Sequence, residues 1–91
     1  MKYKEVEIKS VYKYIGFVKD EVNSDPNKKT IIIDIISISS GMIMGTISWY
    51  SPWRQYVWNT MHGYVFNSQC ARDVVEFLEN LNKAHRGTQY V

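Results

Sequence analysis

Apolar and polar side chains alternate along residues 4–14, and this period of two predicts a long, half-buried β-strand. One face of that strand carries Val6, Ile8, Ser10, Tyr12 and Tyr14. A helical pattern competes with it, because a set of apolar residues steps by three and four positions: Ile8, Val11, Ile15, Val18 and Val22. Gly16 and the β-rich composition favour the strand. The choice between strand and helix stays open for residues 10–22.

Turn chemistry separates two further strands. Residues 23–29 (NSDPNKK) predict a turn, because the proline presets its own φ and the Asp and Asn side chains can bond nearby backbone. Residues 30–38 are dense in β-branched side chains and predict a second strand. A hairpin turn at residues 39–42 leads into a third strand at residues 44–50. Ser-Pro then makes a turn or bulge, since proline cannot donate to a strand ladder.

Two short strands are predicted after that turn, at residues 54–58 and 63–66, with the tip NTMH between them. A C-terminal helix follows over residues 68–83, because Asn67 can cap it and apolar side chains recur at helical spacing. That apolar stripe consists of Cys70, Val74, Phe77, Leu78 and Leu81. Gly87 lies beyond the predicted helix, which leaves residues 84–91 as a loose tail.

These elements predict one α+β domain: an antiparallel sheet of about four to five strands over residues 3–66, followed by one amphipathic helix packed on one face. The other face must meet water, a second copy or a ligand. A chain of 91 residues has room for one core, and its modest burial favours a homodimer. The single Cys, the lack of a signal-peptide pattern and an apolar run broken by Asp34 predict a cytoplasmic protein without a membrane partner.

Catalysis is not expected from the residue pattern, and neither a cofactor nor a metal is predicted. His62 and His85 lie in different elements, and Cys70 has no companion at metal-ligand spacing. A cysteine at a helix N-terminus can be a nucleophile, but its place in the apolar stripe favours a small buried side chain. The sequence contains no nucleophile-elbow motif and no phosphate-binding glycine loop.

The aromatic stretch GTISWYSPWRQYVW, residues 45–58, is the candidate for function. On an extended strand Arg54, Tyr56 and Trp58 share one face at a spacing of about 7 Å, close to the step between extended bases. With Tyr50 and Trp53 they form the predicted binding set. Aromatic pairs and arginines over rings also stabilise sheets, so a purely structural role for these rings remains the alternative.

The same stretch resembles small, largely uncharacterised proteins of tailed bacteriophages, prophages and mobile elements that carry G-x-I-x-W-Y-x-x-W-R-x-Y. The resemblance covers about residues 41–83, through YVFN and the C-terminal helix. It implies a phage or mobile-element origin and an intracellular site of action. The predicted order of elements is also similar to the Whirly and positive-coactivator class of single-stranded DNA-binding proteins, although no motif matches.

Three functions follow as hypotheses. The first is a non-enzymatic protein that binds nucleic acid, preferably single-stranded, through the aromatic and arginine side chains of one sheet face. The second is a protein–protein module such as a phage-encoded inhibitor of a host or defence enzyme, since Trp, Tyr and Arg are enriched at interface hot spots. A weak net charge of +2 fits this second function better. The third is sequestration of a small nucleotide between subunits.

Overall fold

A computed structural model describes residues 8–89. Four antiparallel strands lie side by side in chain order: β1 (Ile15–Lys19), β2 (Ile33–Ser37), β3 (Ile43–Tyr50) and β4 (Gln55–Thr60). A 3₁₀ turn, Ser51–Trp53, joins the last two strands, and one helix, α1 (Ser68–Gln89), follows the sheet. The structure confirms the predicted α+β arrangement of an antiparallel sheet followed by one C-terminal helix.

The first strand lies later in the chain than predicted. Residues 4–7 of the predicted strand fall outside the described residues, and the rest of it is a tight reversal with one isolated bridge, between Val11 and Gly16. Phe17 N–H donates to Ser10 C=O across this reversal at 2.8 Å. The predicted alternation ends in this reversal, so the residues that form β1 are the ones that follow it, Ile15–Lys19. The helix considered for residues 10–22 is also wrong, because β1 occupies its centre.

The two predicted turns are confirmed, and both rest on local bonds. In the turn at residues 23–29, Asn27 N–H donates to the Asp25 carboxylate at 2.9 Å. In the hairpin turn Gly41 takes φ +73°, a conformation that glycine adopts without a steric cost. Between these turns β2 begins only at Ile33, because Ile32 N–H bonds to the Ser24 side chain at 2.9 Å instead of joining the ladder.

The fifth strand, predicted at residues 63–66, is wrong. β4 runs to Thr60 and uses part of the predicted tip, and the chain then turns away from the sheet at Gly63, with φ +91°. Residues 64–66 form an irregular connection to α1. Phe66 nevertheless contributes to the core, with its ring edge-to-face against Trp58 at 4.9 Å between centroids. Phe66 therefore packs on the core from an irregular loop rather than from a strand, while Val65 is exposed.

The helix begins where its cap predicts. Cys70 N–H donates to the Asn67 side chain at 2.8 Å, and the apolar stripe of the helix faces the sheet. Its end is not as predicted, because α1 continues through Gly87 to Gln89, over most of the expected tail. A glycine within a helix costs about 1 kcal/mol relative to alanine. Contacts of the last turns with the sheet, described below, outweigh that local cost.

One face of the sheet and the apolar stripe of α1 form the core. The Phe17 and Phe77 rings stack in parallel with their centroids 4.0 Å apart, which joins β1 to the middle of the helix. The side chains with essentially no solvent exposure are Ile15, Ile35, Ile47 and Val74. Each fully buried aliphatic side chain contributes about 1.5–3 kcal/mol. The helix therefore covers the central part of this sheet face.

The opposite face of the sheet is open and mixed in character. Val18, Asp34, Thr46 and Asn59 lie directly opposite one another across the four strands. Since residues at alternate positions of a strand share a face, the other open-face strand positions are also mostly polar or aliphatic. Tyr50 is the only aromatic residue that the four strands place there. The open face is therefore not a continuous platform for stacking bases.

Candidate functional site

The five residues of the predicted binding set separate into a pair that α1 covers and an exposed group. Tyr56 lies opposite Trp49, and Trp58 lies opposite Ile47, so both rings point to the face that α1 covers. Tyr56 is 3% exposed, and its hydroxyl accepts a hydrogen bond from Ile31 N–H at 3.2 Å. Burial also raises the pKa of the Tyr56 hydroxyl. The expectation that this ring faces a ligand is wrong.

Trp58 is half-buried and belongs to the core periphery. Its ring packs edge-to-face on Phe66, and its buried indole Nε1 makes no hydrogen bond with any described residue. Gly45 provides the space beside it, since a Cβ there would come 2.7 Å from the Asn59 carbonyl oxygen and 3.5 Å from the Trp58 Nε1. Trp58 is therefore positioned to fill the sheet–helix interface, and the side that Arg54, Tyr56 and Trp58 share is the one that α1 covers, not an open stacking surface.

The exposed group surrounds the 3₁₀ turn at the end of the β3–β4 hairpin. Tyr50 is 42% exposed and Trp53 is 66% exposed, and their rings meet edge-to-face with centroids 5.0 Å apart. Pro52 lies at the start of the turn and helps to hold its shape. A tryptophan with two-thirds of its surface in water loses most of the free energy that burial would supply. Its indole face is therefore available to a partner.

Arg54 ends the turn in the left-handed region, with φ 52° and ψ 48°. It is the only non-glycine residue with positive φ among residues 8–89. Such a conformation costs roughly 1–2 kcal/mol for a residue with a Cβ. Its N–H donates to Ser51 C=O at 3.1 Å, and β4 starts at the next residue. Arg54 thus immediately precedes β4, and it lies on the helix side of the hairpin end, the side to which Tyr56 and Trp58 also point.

A cleft of about 130 Å³ opens on that side, between the hairpin end and the last turns of α1. Its lining consists of Trp49, Arg54, Asn82, His85 and Arg86. Of these, only Arg54 belongs to the predicted set. The i, i+3 and i+4 spacing of the three helix residues indicates one helix face. That spacing is the signal the sequence offers for this cleft. It does not reveal which strand that face meets.

Asn82 anchors the helix beside the cleft. It is buried, its side-chain oxygen accepts a hydrogen bond from Tyr56 N–H at 2.7 Å, and its amide group donates to Tyr56 C=O at 3.2 Å. His85, one helical turn on, packs against Trp49 at 4.6 Å and against the Tyr56 ring at 5.7 Å between centroids. These contacts hold the last turns of α1 against β4 and fix the helical wall of the cleft.

Among the described residues, the cleft lining includes two arginines and no carboxylate. Arg54 and Arg86 are exposed, and within residues 8–89 the one ion pair joins Lys19 to Glu21, on the first strand and the turn after it. Burial and the nearby Lys29 charge hold the pKa of His85 below its usual value. Burial is the larger cause of this shift, and the Lys29 charge adds to the positive charge of the two arginines that line the cleft. The site is thus suited to an anion.

The remaining candidate chemistry has a structural explanation. Cys70 is 7% exposed in the apolar stripe, which confirms the interpretation of a small buried side chain. Residues 8–89 contain no group of three or more His, Cys, Asp or Glu side chains placed to hold a metal ion. Over the same described part of the chain, no helix combines the length and apolar character needed to cross a membrane.

Comparison with known proteins adds no family. No protein-family model matches the chain, and no curated protein or solved structure matches it significantly. The resemblance to small phage and prophage proteins and the similarity to the Whirly class both stay predictions. Function must therefore be argued from the hairpin end and its cleft.

Proposed function

We propose that this protein binds single-stranded nucleic acid at the end of the β3–β4 hairpin. Bases stack on the exposed rings of Tyr50 and Trp53, and Arg54 pairs with the adjoining backbone phosphate. The observation that supports this proposal is the exposed ring pair followed directly by an arginine that has no carboxylate partner among the described residues. Stacking rings beside cationic side chains are the usual means of binding single strands.

The energies that such a site supplies are modest. Stacking contributes about 1–3 kcal/mol per base, and two rings accept one or two bases. A dissociation constant near 1 μM corresponds to about 8 kcal/mol, so phosphate contacts must supply the remainder. Lys28 and Lys29 lie in the exposed loop before β2 and can extend the contacts to phosphates. We therefore expect micromolar affinity that falls as salt rises.

A single strand fits these features better than a duplex. Stacking on Tyr50 and Trp53 requires bases whose faces are free, and the bases of a duplex already stack on one another. The net charge of +2 also gives little non-specific attraction to the denser phosphates of a duplex. We further propose, from the phage resemblance, that the protein acts in the bacterial cytoplasm, where a homodimer would present two ring pairs to one strand.

The direct test is a tryptophan-fluorescence titration of the full chain with a single-stranded oligonucleotide, a matched duplex and a nucleotide mixture at two salt concentrations. We expect quenching by the single strand that weakens at the higher salt. The Trp53→Ala variant should lose most of the quenching, because Trp49 and Trp58 are half-buried. No response to any of the three ligands would overturn the proposal.

A protein partner is the second candidate. Tyr, Trp and Arg, the types found at Tyr50, Trp53 and Arg54, are also the types that dominate interface hot spots. The small net charge requires no polyanionic ligand. Under this alternative the oligonucleotide titration stays flat, and a pull-down from bacterial lysate recovers one stoichiometric protein whose capture is lost in Trp53→Ala but retained in a variant of the distant Arg72.

A further inference from the structure

The rings and the cleft lie on opposite sides of the hairpin end. Trp49 and Tyr50 are neighbours on β3 and point to opposite faces, since side chains alternate along a strand. Tyr50 and Trp53 therefore lie toward the open face, whereas the cleft lies on the helix side. Arg54 lies at the end of the turn that joins the two sides. A strand stacked on the rings can reach the cleft only by passing around this turn.

The cleft offers hydrogen-bond donors to a compact anion. Arg54 and Arg86 each carry a guanidinium with five N–H donors, and their fork geometry matches phosphate oxygens. Asn82 and His85 add polar atoms to the wall, and Trp49 closes one side. Because the Asn82 oxygen already accepts from Tyr56 N–H, its main acceptor is occupied within the protein. None of the described residues that line the cleft offers a negative charge to a cationic ligand.

The volume of the cleft and the charge of its two arginines limit which anions it can bind. At about 130 Å³, the cleft is below the roughly 300–1,000 Å³ of pockets that hold drug-sized molecules, so a whole nucleotide does not fit in it. A phosphomonoester carries a charge of about −1.5 to −2 at neutral pH, which matches two guanidinium groups. A phosphodiester within a strand carries one charge and has a chain on both sides. A phosphate at a strand end can enter a cleft that has one wall of helix and one of tryptophan.

We infer that the cleft lined by Arg54, Arg86 and Trp49 binds the terminal phosphate of a single strand whose end bases stack on Tyr50 and Trp53. This inference rests on the proposed function and names its substrate class: single strands with a phosphorylated end. The path around Arg54 gives the protein a preference for strand ends over strand interiors. It also gives Arg86, which no sequence pattern selected, a specific role in binding.

Three oligonucleotides of one sequence test the inference: one with a 5′-phosphate, one with a 3′-phosphate and one with hydroxyl groups at both ends. Their affinities are measured by fluorescence anisotropy with a dye placed within the strand. Charge-assisted hydrogen bonds contribute enough to favour one phosphorylated end by about tenfold over the hydroxyl-ended strand. The Arg86→Ala variant should lose that preference. Arg72→Ala is the matched control, because Arg72 is an exposed arginine near the other end of the same helix.

The outcomes separate the inference from the proposed function. Tighter binding of one phosphorylated strand that is lost in Arg86→Ala and kept in Arg72→Ala supports both. Equal binding of all three strands, weakened in Trp53→Ala, overturns the terminal-phosphate site and leaves the proposed function standing. A preference that survives in Arg86→Ala overturns the assignment of the cleft. Failure of all three strands to bind overturns the proposed function together with the inference.

Discussion

The side-chain amide of Asn82 pairs with both backbone groups of Tyr56, at 2.7 and 3.2 Å, and so binds α1 to the outer edge of β4. The Asn82 side chain thus makes the two hydrogen bonds to Tyr56 that a residue of a neighbouring fifth strand would otherwise make. It satisfies an N–H and a C=O that a buried strand edge would otherwise leave unpaired. The same contact places the last turns of the helix beside the hairpin end, and the cleft exists because of it.

Replacing Asn82 by Ala should therefore destabilise the fold by about 2–3 kcal/mol, because two buried backbone groups lose their partners. Chemical denaturation monitored by circular dichroism measures the change in the free energy of unfolding. Asn80→Ala is the matched control: Asn80 lies on the same helix and makes no side-chain hydrogen bond with a described residue. Similar losses in the two variants would show that the Tyr56 pairing is not what stabilises this contact.

Replacing Arg54 by Gly should stabilise the fold and weaken the binding of single strands. Glycine tolerates φ 52° without strain, so Arg54→Gly should raise the free energy of unfolding by roughly 1 kcal/mol, offset in part by the greater freedom of glycine in the unfolded chain. Thermal unfolding would show this as a rise of a few degrees in Tm for a domain of this size. The same variant should bind single strands more weakly than the wild type. An Arg54→Gly variant that is less stable than the wild type and binds single strands equally well would contradict the role given to Arg54.

His85 should make the free energy of unfolding of the ligand-free protein depend on pH. Its folded pKa is lowered from 6.5, by burial first and then by Lys29. Between the folded pKa and 6.5 the unfolded state binds more protons, so stability rises with pH through this window and levels off above it. Lys29 is the charged group whose charge disfavours protonation of His85, and the Arg54 and Arg86 side chains line the same cleft.

Denaturation curves measured across pH 5–8 test the slope, and proton NMR of the imidazole measures the pKa directly. In His85→Gln the part of the slope that belongs to this residue should disappear. An imidazole at position 85 that titrates at or above 6.5 would contradict the buried, cationic setting described for it.

Tyr12 should ionise later than an ordinary tyrosine. Burial, and then the nearby Glu76 carboxylate, raise the pKa of its hydroxyl to about 12. Since the folded pKa lies above the unfolded value of 10.0, the stabilisation is complete below pH 10 and is lost as pH rises toward 12. Absorbance at 295 nm follows this titration, and the difference between wild type and Tyr12→Phe isolates the residue. Glu76→Gln should move the titration to lower pH.

Much of the fold can be read from local pattern. The cap at Asn67 and the stripe beginning at Cys70 predict the start and the buried face of α1, because both depend on neighbouring residues only. The end of the helix does not follow from local pattern. Gly87 signals a stop, but His85 packs on Trp49 and Tyr56 and keeps the last turns helical.

The candidate site shows the same division. The exposed residues Tyr50, Trp53 and Arg54 were selected by the sequence, and so were Tyr56 and Trp58, which the helix covers. The β3–β4 ladder is regular from the Tyr50–Gln55 pair to the Gly45–Thr60 pair, and local pattern does not show that α1 covers the side of it to which Tyr56 and Trp58 point. Arg86 joins the site only through tertiary contact between α1 and β4, and no periodicity within either element records that contact.

The most direct test compares two tryptophan variants in single-strand binding. Trp53→Ala removes the exposed ring, and Trp58→Phe changes the half-buried ring that the helix covers. With affinities measured by anisotropy at low salt, we expect Trp53→Ala to weaken binding by about fivefold to more than a hundredfold, the equivalent of one lost base stack. Trp58→Phe should bind as the wild type does if its Tm shows that it is folded. Unchanged binding by Trp53→Ala, or a larger loss in a folded Trp58→Phe, would contradict the placement of the site at the hairpin end.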